Sequence, residues 1–156
     1  MRFTNRHTGL SLEIEQALLD RMIESGRQHY PTEFGGVLVG YYSNDKKAAI
    51  ATDFILPQWF QSSPTSFLRG DEGLKEILKS YFEKIPSQIY LGEWHTHPDS
   101  LPIPSSADIN SMNEIYSSKD VNINFPLLII IGLNRAGYQV GIYSSSNGII
   151  RRYEKD

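Results

Sequence analysis

Pro126-Leu127-Leu128-Ile129-Ile130-Ile131 is the longest apolar run in a chain of 156 residues, and it constrains the fold more than any other segment. A helix that spans a bilayer takes roughly 20 apolar residues, so a run this short is no membrane span. It reads as the middle of a strand, Leu127–Leu133, buried on both faces of a sheet. Further strands are expected over Gly36–Tyr42, Ala48–Leu56, Ile89–Trp94, Tyr138–Ser144 and Ile149–Tyr153. Polar, Gly-bearing or Asn-bearing turns at Ser43–Lys46, Asn134–Gly137 and Ser145–Gly148 connect several of them.

Three helices complete the pattern. Ser11 reads as the N-cap of the first, which carries Leu12, Ile14, Leu18, Leu19, Met22 and Ile23 and ends near Gly26. Asp71–Ile85 is the second, with Leu74, Ile77, Leu78 and Tyr81 on one side and Pro86 as its stop. The third opens at Ser105 and carries Ile109, Met112, Ile115 and Tyr116 at helical spacing. The fold class is therefore α/β (α+β): one domain over residues 1–156, a curved and mostly antiparallel sheet flanked by helices. A domain of this size buries roughly 70% of the surface its unfolded chain exposes.

Composition removes several kinds of function. The formal charge is −3, and lysines and arginines are scattered, so no nucleic-acid footprint is indicated. Cysteine is absent, which excludes disulfides, a thiol nucleophile and a Cys-type zinc site. The first residues, Met1-Arg2-Phe3-Thr4-Asn5-Arg6, lack the apolar stretch of a secretory signal, so a cytoplasmic location is expected.

The chemistry concentrates in His95-Thr96-His97-Pro98 and the Ser105-Ser106-Ala107-Asp108 that follows. Residues i and i+2 of a strand point to one face, about 6.5–7 Å apart at the backbone, so His95 and His97 can converge on one ion while Trp94 packs in the core. Asp108 falls in the first turn of the third helix. Two imidazoles and a carboxylate suit Zn²⁺ and leave its fourth position open. Each half has a plainer reading: a hydrogen-bonded histidine pair, and a capping box with Ser105 as N-cap and Asp108 at the positive helix end. Glu93 shares the histidine face and reads as a partner for a ligand histidine or a strand-face charge. Asp99 reads as a cap for the turn at Ser100.

His95-x-His97-Pro98, six residues, then Ser105-x-x-Asp108 resembles the signature of the JAB/MPN (JAMM) metallopeptidases, whose fold is cytidine-deaminase-like. Pro31-Thr32-Glu33-Phe34-Gly35-Gly36-Val37-Leu38-Val39-Gly40 matches the family's upstream glutamate at the start of a Gly-rich strand, and the resemblance covers nearly the whole chain. It implies one Zn²⁺ per chain held by His95, His97 and Asp108, with Glu33 as general base and acid and Ser105 as oxyanion donor. It also implies a zinc isopeptidase or peptidase that cuts at the C-terminal tail of a ubiquitin-like or similarly conjugated protein.

Glu33 comes from the resemblance alone, because nothing in the intervening sequence fixes its distance from the histidines. Gly92-Glu93-Trp94-His95-Thr96-His97-Pro98 and the compact length look most like bacterial stand-alone members. Those are encoded beside E1-like and E2-like proteins, including in CBASS anti-phage operons, where the conjugated protein is a cyclic-oligonucleotide synthase. Two other readings stay open: a non-catalytic MPN scaffold, and a peptidase that processes a sulfur-carrier protein.

Two polar segments bear on specificity. Pro57–Pro64 reads as a loop whose Trp59 and Phe60 either line a groove for a peptide tail or fold back over the core. Ser117–Asn124 is short. Longer insertions near these places grip ubiquitin in deubiquitinating relatives, so their brevity points away from ubiquitin itself.

Overall fold

The computed structural model describes residues 1–156. The chain begins with β1 (Arg2–Thr4), β2 (Ser11–Ile14), α1 (Gln16–Arg27), β3 (Gly35–Tyr42) and β4 (Ala48–Ile55). Next come β5 (Phe60–Ser63), β6 (Ser66–Arg69), α2 (Leu74–Phe82), β7 (Ile89–Pro98) and α3 (Ser106–Ser117). It ends with β8 (Leu127–Leu133), β9 (Tyr138–Ser146), β10 (Ile149–Arg152) and β11 (Glu154–Lys155).

Nine strands form one sheet in the order β10-β9-β8-β7-β3-β4-β2-β1-β11, and β5 and β6 form a separate hairpin. The β7–β8 and β2–β4 pairs are parallel and the others antiparallel. β10 and β11 lie at opposite edges of this sheet, yet Tyr153 alone separates them in sequence. A flat sheet cannot satisfy that connection, so the sheet curls until its two edges approach. The Tyr153 amide donates to the Ile142 carbonyl at 2.8 Å, extending the β9–β10 ladder to the point where the chain crosses to the other edge.

Period-two alternation assigns residues to the hollow and the outer face. Leu38, Leu91, Trp94, Ile129, Ile131 and Leu133 point into the hollow, where Leu18, Leu19, Met22 and Ile23 of α1 fill it. On the outer face, Leu128, Ile130 and Tyr143 pack against Met112 and Ile115 of α3. Val37, Val39 and Ile55 take the α2 stripe of Leu74, Ile77, Leu78 and Tyr81. Every residue of β8 is buried, as expected of a strand covered on both faces. Each such Leu or Ile contributes about 1.5–3 kcal/mol relative to exposure, so these two layers carry the stability.

Three expectations need correction. Ser11 does not cap a helix: Ser11–Ile14 pairs in parallel with Ala48–Ala51, and the helix starts at Gln16 after Glu15. Leu12 and Ile14 suit either period, and the open flank of β4 decides for the strand. The second helix is shorter than Asp71–Ile85, because Gly73 at φ 72 sets its start and the exposed Ile85 lies beyond its end. Pro57–Pro64 is not a plain loop. Phe60–Ser63 pairs with Ser66–Arg69 around Pro64-Thr65, and Phe60 packs on Phe34, Phe67 and His29 while Trp59 stays 46% exposed. β1 and β11 were too short to foresee.

Candidate metal centre and active-site groove

A bulge in β7 sets which way the histidines point. Register shifts between Leu38 and Val39 opposite Gly92, whose φ is 153 and whose missing side chain lets the Leu127 carbonyl approach. Beyond it, Trp94 and Thr96 face the hollow and α1, while Glu93, His95 and His97 face α3. Trp94 is 1% exposed, so its expected place in the core is where it lies.

The end of β7 then meets the start of α3. Ser105 Oγ accepts from the Asp108 amide at 3.1 Å, and Asp108 Oδ2 accepts from the Ser105 amide at 2.8 Å, a complete capping box. That box pins the carboxylate against the histidines. Asp108 Oδ1 lies 3.2 Å from His95 Nε2, and Oδ2 lies 3.3 Å from His97 Nε2. The two Nε2 atoms are 3.0 Å apart.

This donor set fits a zinc ion. Zinc bonds of about 2.0–2.1 Å in a tetrahedron put neighbouring ligand atoms roughly 3.3–3.4 Å apart, close to the separations here. The His97 imidazole can also present a lone pair to the same point. His97 Nδ1 sits 3.2 Å from the Leu101 carbonyl, which can only accept, so Nδ1 carries the hydrogen and Nε2 is left free in the neutral ring. Burial opposes ionisation of Asp108, but the His95 and His97 imidazoles beside it overcome this and hold the carboxyl well below its usual range. Burial likewise lowers the His97 pKa, and Asp108, Leu101 and Glu33 more than reverse it. These are the electrostatics of a pocket that favours a cation.

Glu33 arrives from a different strand. Its amide donates to the Ser63 carbonyl at 2.9 Å, and Phe34 is locked to Thr96 through Phe34 N to Thr96 Oγ1 (3.0 Å) and Thr96 N to the Phe34 carbonyl (2.8 Å). Gly35 then pairs with His95. The result is a Glu33 that is 8% exposed, with Oε1 4.0 Å from His97 Nε2. Burial raises its pKa first of all, the two histidines oppose this, and Asp108 adds to it. A buried carboxyl held above its ordinary range is suited to taking and returning a proton.

Glu33, His95, His97, Ser105 and Asp108, far apart in sequence, thus meet or adjoin one another at one end of a groove. Ser105 is exposed, and because capping uses a lone pair of its oxygen, its O–H remains free to donate. Glu93 is not a ligand partner: it holds Arg69 through two hydrogen bonds and accepts from Tyr90 at 2.9 Å. Asp99 does not cap the turn at Ser100, since both its oxygens accept from the Tyr30 hydroxyl at 2.7 and 2.8 Å. Sequence reasoning missed Arg69, the Leu101 carbonyl and the β5–β6 wall. The alternation of Phe60-Gln61-Ser62-Ser63 and Ser66-Phe67-Leu68-Arg69 around Pro64-Thr65 was the available signal for the last.

The groove, of about 480 Å³, runs from the histidines between β6 and α3. Phe67, Leu68 and Arg69 form one wall, Ser111, Met112 and Ile115 the other, and Glu93, His95 and Leu128 the floor.

Residues 15–142 match the family described as prokaryotic homologs of the JAB domain. The chain belongs to the JAB family. Among its relatives, a protein of Enterobacter hormaechei named CD-NTase/cGAS isopeptidase is 30% identical over 151 residues, covering 96% of this chain and 81% of that one. A protein of the same name from Vibrio cholerae is 34% identical over 65 residues, 41% of this chain and 38% of its own. A probable metalloprotease of Sinorhizobium fredii is 25% identical over 120 residues, 76% of this chain and 73% of its own. In shape, this JAB chain matches a protein of Desulfitobacterium hafniense solved in solution, with a TM-score of 0.70 at 18% identity over 92% of this chain and 90% of that one. That likeness establishes the α/β fold with its curved sheet. No helix is long and apolar enough to cross a membrane.

Proposed function

We propose that residues 1–156 act as one JAB domain with zinc-dependent isopeptidase activity, hydrolysing the amide bond at the C-terminus of a conjugated protein. The observation that carries this reading is the convergence of His95 Nε2, His97 Nε2 and the Asp108 carboxylate within 4.8 Å of one another, with the Glu33 carboxyl beside them. Relatives named as isopeptidases of CD-NTases and cGAS support a protein substrate and a setting in CBASS anti-phage defence. The conjugated protein would then be a cyclic-oligonucleotide synthase, joined by E1-like and E2-like proteins in the cytoplasm.

Zinc held by His95, His97 and Asp108 would lower the pKa of a bound water to about 7 and so supply a hydroxide nucleophile at neutral pH. Glu33 accepts a proton on its carboxylate and returns it to the leaving amine. The Ser105 hydroxyl donates to the oxygen that becomes negative as the carbonyl turns tetrahedral. The fixed His97 tautomer and the Asp108 cap keep these groups in place without rearrangement. The groove between β6 and α3 accommodates the tail on the acyl side of the bond, extended and with its side chains alternating between the walls.

The deciding experiment measures zinc content and cleavage of a conjugated cyclic-oligonucleotide synthase in parallel. Stoichiometric zinc together with chelator-sensitive cleavage supports the reading. A chain that holds no zinc and cuts no conjugate would be a scaffold instead.

A further inference from the structure

The strongest feature that this reading leaves unused is Arg69. Its Nε donates to Glu93 Oε2 at 2.8 Å, its Nη2 to Glu93 Oε1 at 2.6 Å and its Nη1 to the Gly70 carbonyl at 3.3 Å. Glu93 is itself steadied by the Tyr90 hydroxyl. An arginine has five N–H donors, so two remain uncommitted, one on each terminal nitrogen. Arg69 and Glu93 are largely buried, with 21% and 17% of their side chains exposed, and both line the groove that leads to the metal centre.

Glu93 and His95 are two residues apart on one face of β7, about 6.5–7 Å along the strand. The guanidinium, held on Glu93, therefore stands about two residues of extended chain from the atoms that would hold the metal, on the side of the groove proposed above for the acyl tail. Its charge is already balanced by Glu93, so what it offers to the groove is a rigid pair of hydrogen-bond donors more than a net positive charge. The matching group on an extended peptide is a main-chain carbonyl.

We propose that Arg69 is a tail-binding residue, which donates to a backbone carbonyl about two residues upstream of the scissile bond and so sets the register of the substrate tail. This rests on the isopeptidase reading for the identity of the tail. It predicts recognition that depends on the tail's length and backbone, with little dependence on the side chain at that position.

The test uses pooled random-sequence peptides ending in a coumarin amide, with tails of one, two, three and five residues, and compares the zinc-loaded chain with Arg69→Met and Arg69→Lys. The expected loss in kcat/KM for Arg69→Met is at least tenfold for three- and five-residue tails and shrinks as the tail is cut to one residue. Arg69→Lys, which keeps the charge and the stem but not the fork, should fall between. A merely structural role would depress all lengths alike, and that result, or no loss at all, would overturn the proposal.

A second measurement does not need turnover. Arginine side-chain NMR signals of the zinc-loaded Glu33→Gln chain should show the Arg69 guanidinium shifting when the five-residue pool is added. A shift in a chain whose parent cleaves nothing leaves the tail contact standing and sinks only the isopeptidase reading. No shift sinks the tail contact whatever the turnover.

Discussion

Gly35 lies directly opposite His95 in the β3–β7 ladder, and a Cβ at position 35 would collide with the Trp94 carbonyl oxygen and crowd the His95 backbone. This close approach is what carries Glu33, two residues earlier, to within reach of the histidines. Gly35→Ala should therefore push β3 away from β7. We expect a stability loss of about 1–3 kcal/mol, the usual cost of forcing extra volume into a packed site, and a larger fractional fall in turnover than in zinc content. Urea unfolding beside metal analysis and steady-state kinetics checks it.

Glu33 and Asp108 should separate chemistry from metal holding. Glu33→Gln keeps His95, His97 and Asp108 and so keeps about one zinc per chain, while turnover falls by roughly 10²–10⁴, the usual worth of a general base. Asp108→Ala loses a proposed ligand and half of the capping box, so zinc and turnover should vanish together and the melting temperature drop. Undiminished cleavage in Glu33→Gln would remove Glu33 from the mechanism.

The cap that Ser105 forms and the oxyanion role proposed for it can be pulled apart by substitution. Ser105→Ala removes the cap acceptor, costing about 1 kcal/mol of stability, and the hydroxyl donor, costing about 2.7–4 kcal/mol of transition-state stabilisation. Ser105→Asp restores an N-cap acceptor and supplies no hydroxyl. It should recover the thermal stability of the parent without recovering kcat. Recovery of both would mean that Ser105 acts through the helix alone.

Away from the centre, Asp53 accepts from the Tyr81 hydroxyl at 2.7 Å and from Arg21 at 2.8 Å, tying α2 and α1 to β4. Burial opposes ionisation of Asp53, but these partners hold its pKa below the ordinary value, whereas burial and Asp53 push the Tyr81 phenol up to about 12. A depressed carboxyl stabilises the fold above its unfolded pKa near 3.9, and that contribution fades as pH falls through the lower folded value. A raised phenol stabilises below its unfolded pKa near 10 and fades as pH rises through about 12. The stability gap between the parent and Asp53→Asn should therefore be widest between about pH 4 and 10 and narrow on both sides. A gap independent of pH in denaturant titrations would refute this.

What could be read from the sequence follows from distance along the chain. The unbroken apolar run of Leu127–Leu133, the pair His95 and His97 two residues apart on one strand, and Ser105 three residues before Asp108 are local patterns that neighbouring residues alone define. Glu33 could not be placed by such reasoning. Its position depends on the Gly35–His95 register across some sixty residues, and only the family resemblance suggested it. Ser11–Ile14 failed for a related reason: Leu12 and Ile14 fit a helix or a strand, and the choice was made by β4, which is distant in sequence. Arg69 went unnoticed because its significance is a pairing with Glu93, and a pairing has no local signature.

The pairing of Phe3 with Lys155, next to Thr4 with Glu154, has a consequence for how this molecule comes into being. β2 has both its partners, β1 and β4, by the time β4 is made, but β1 keeps one unpaired edge until β11 has been made. During synthesis that edge is open to any extended segment nearby, including another copy of itself. β11 thus works as a shutter over β1, and the flank it leaves open in exchange is its own, only two residues long.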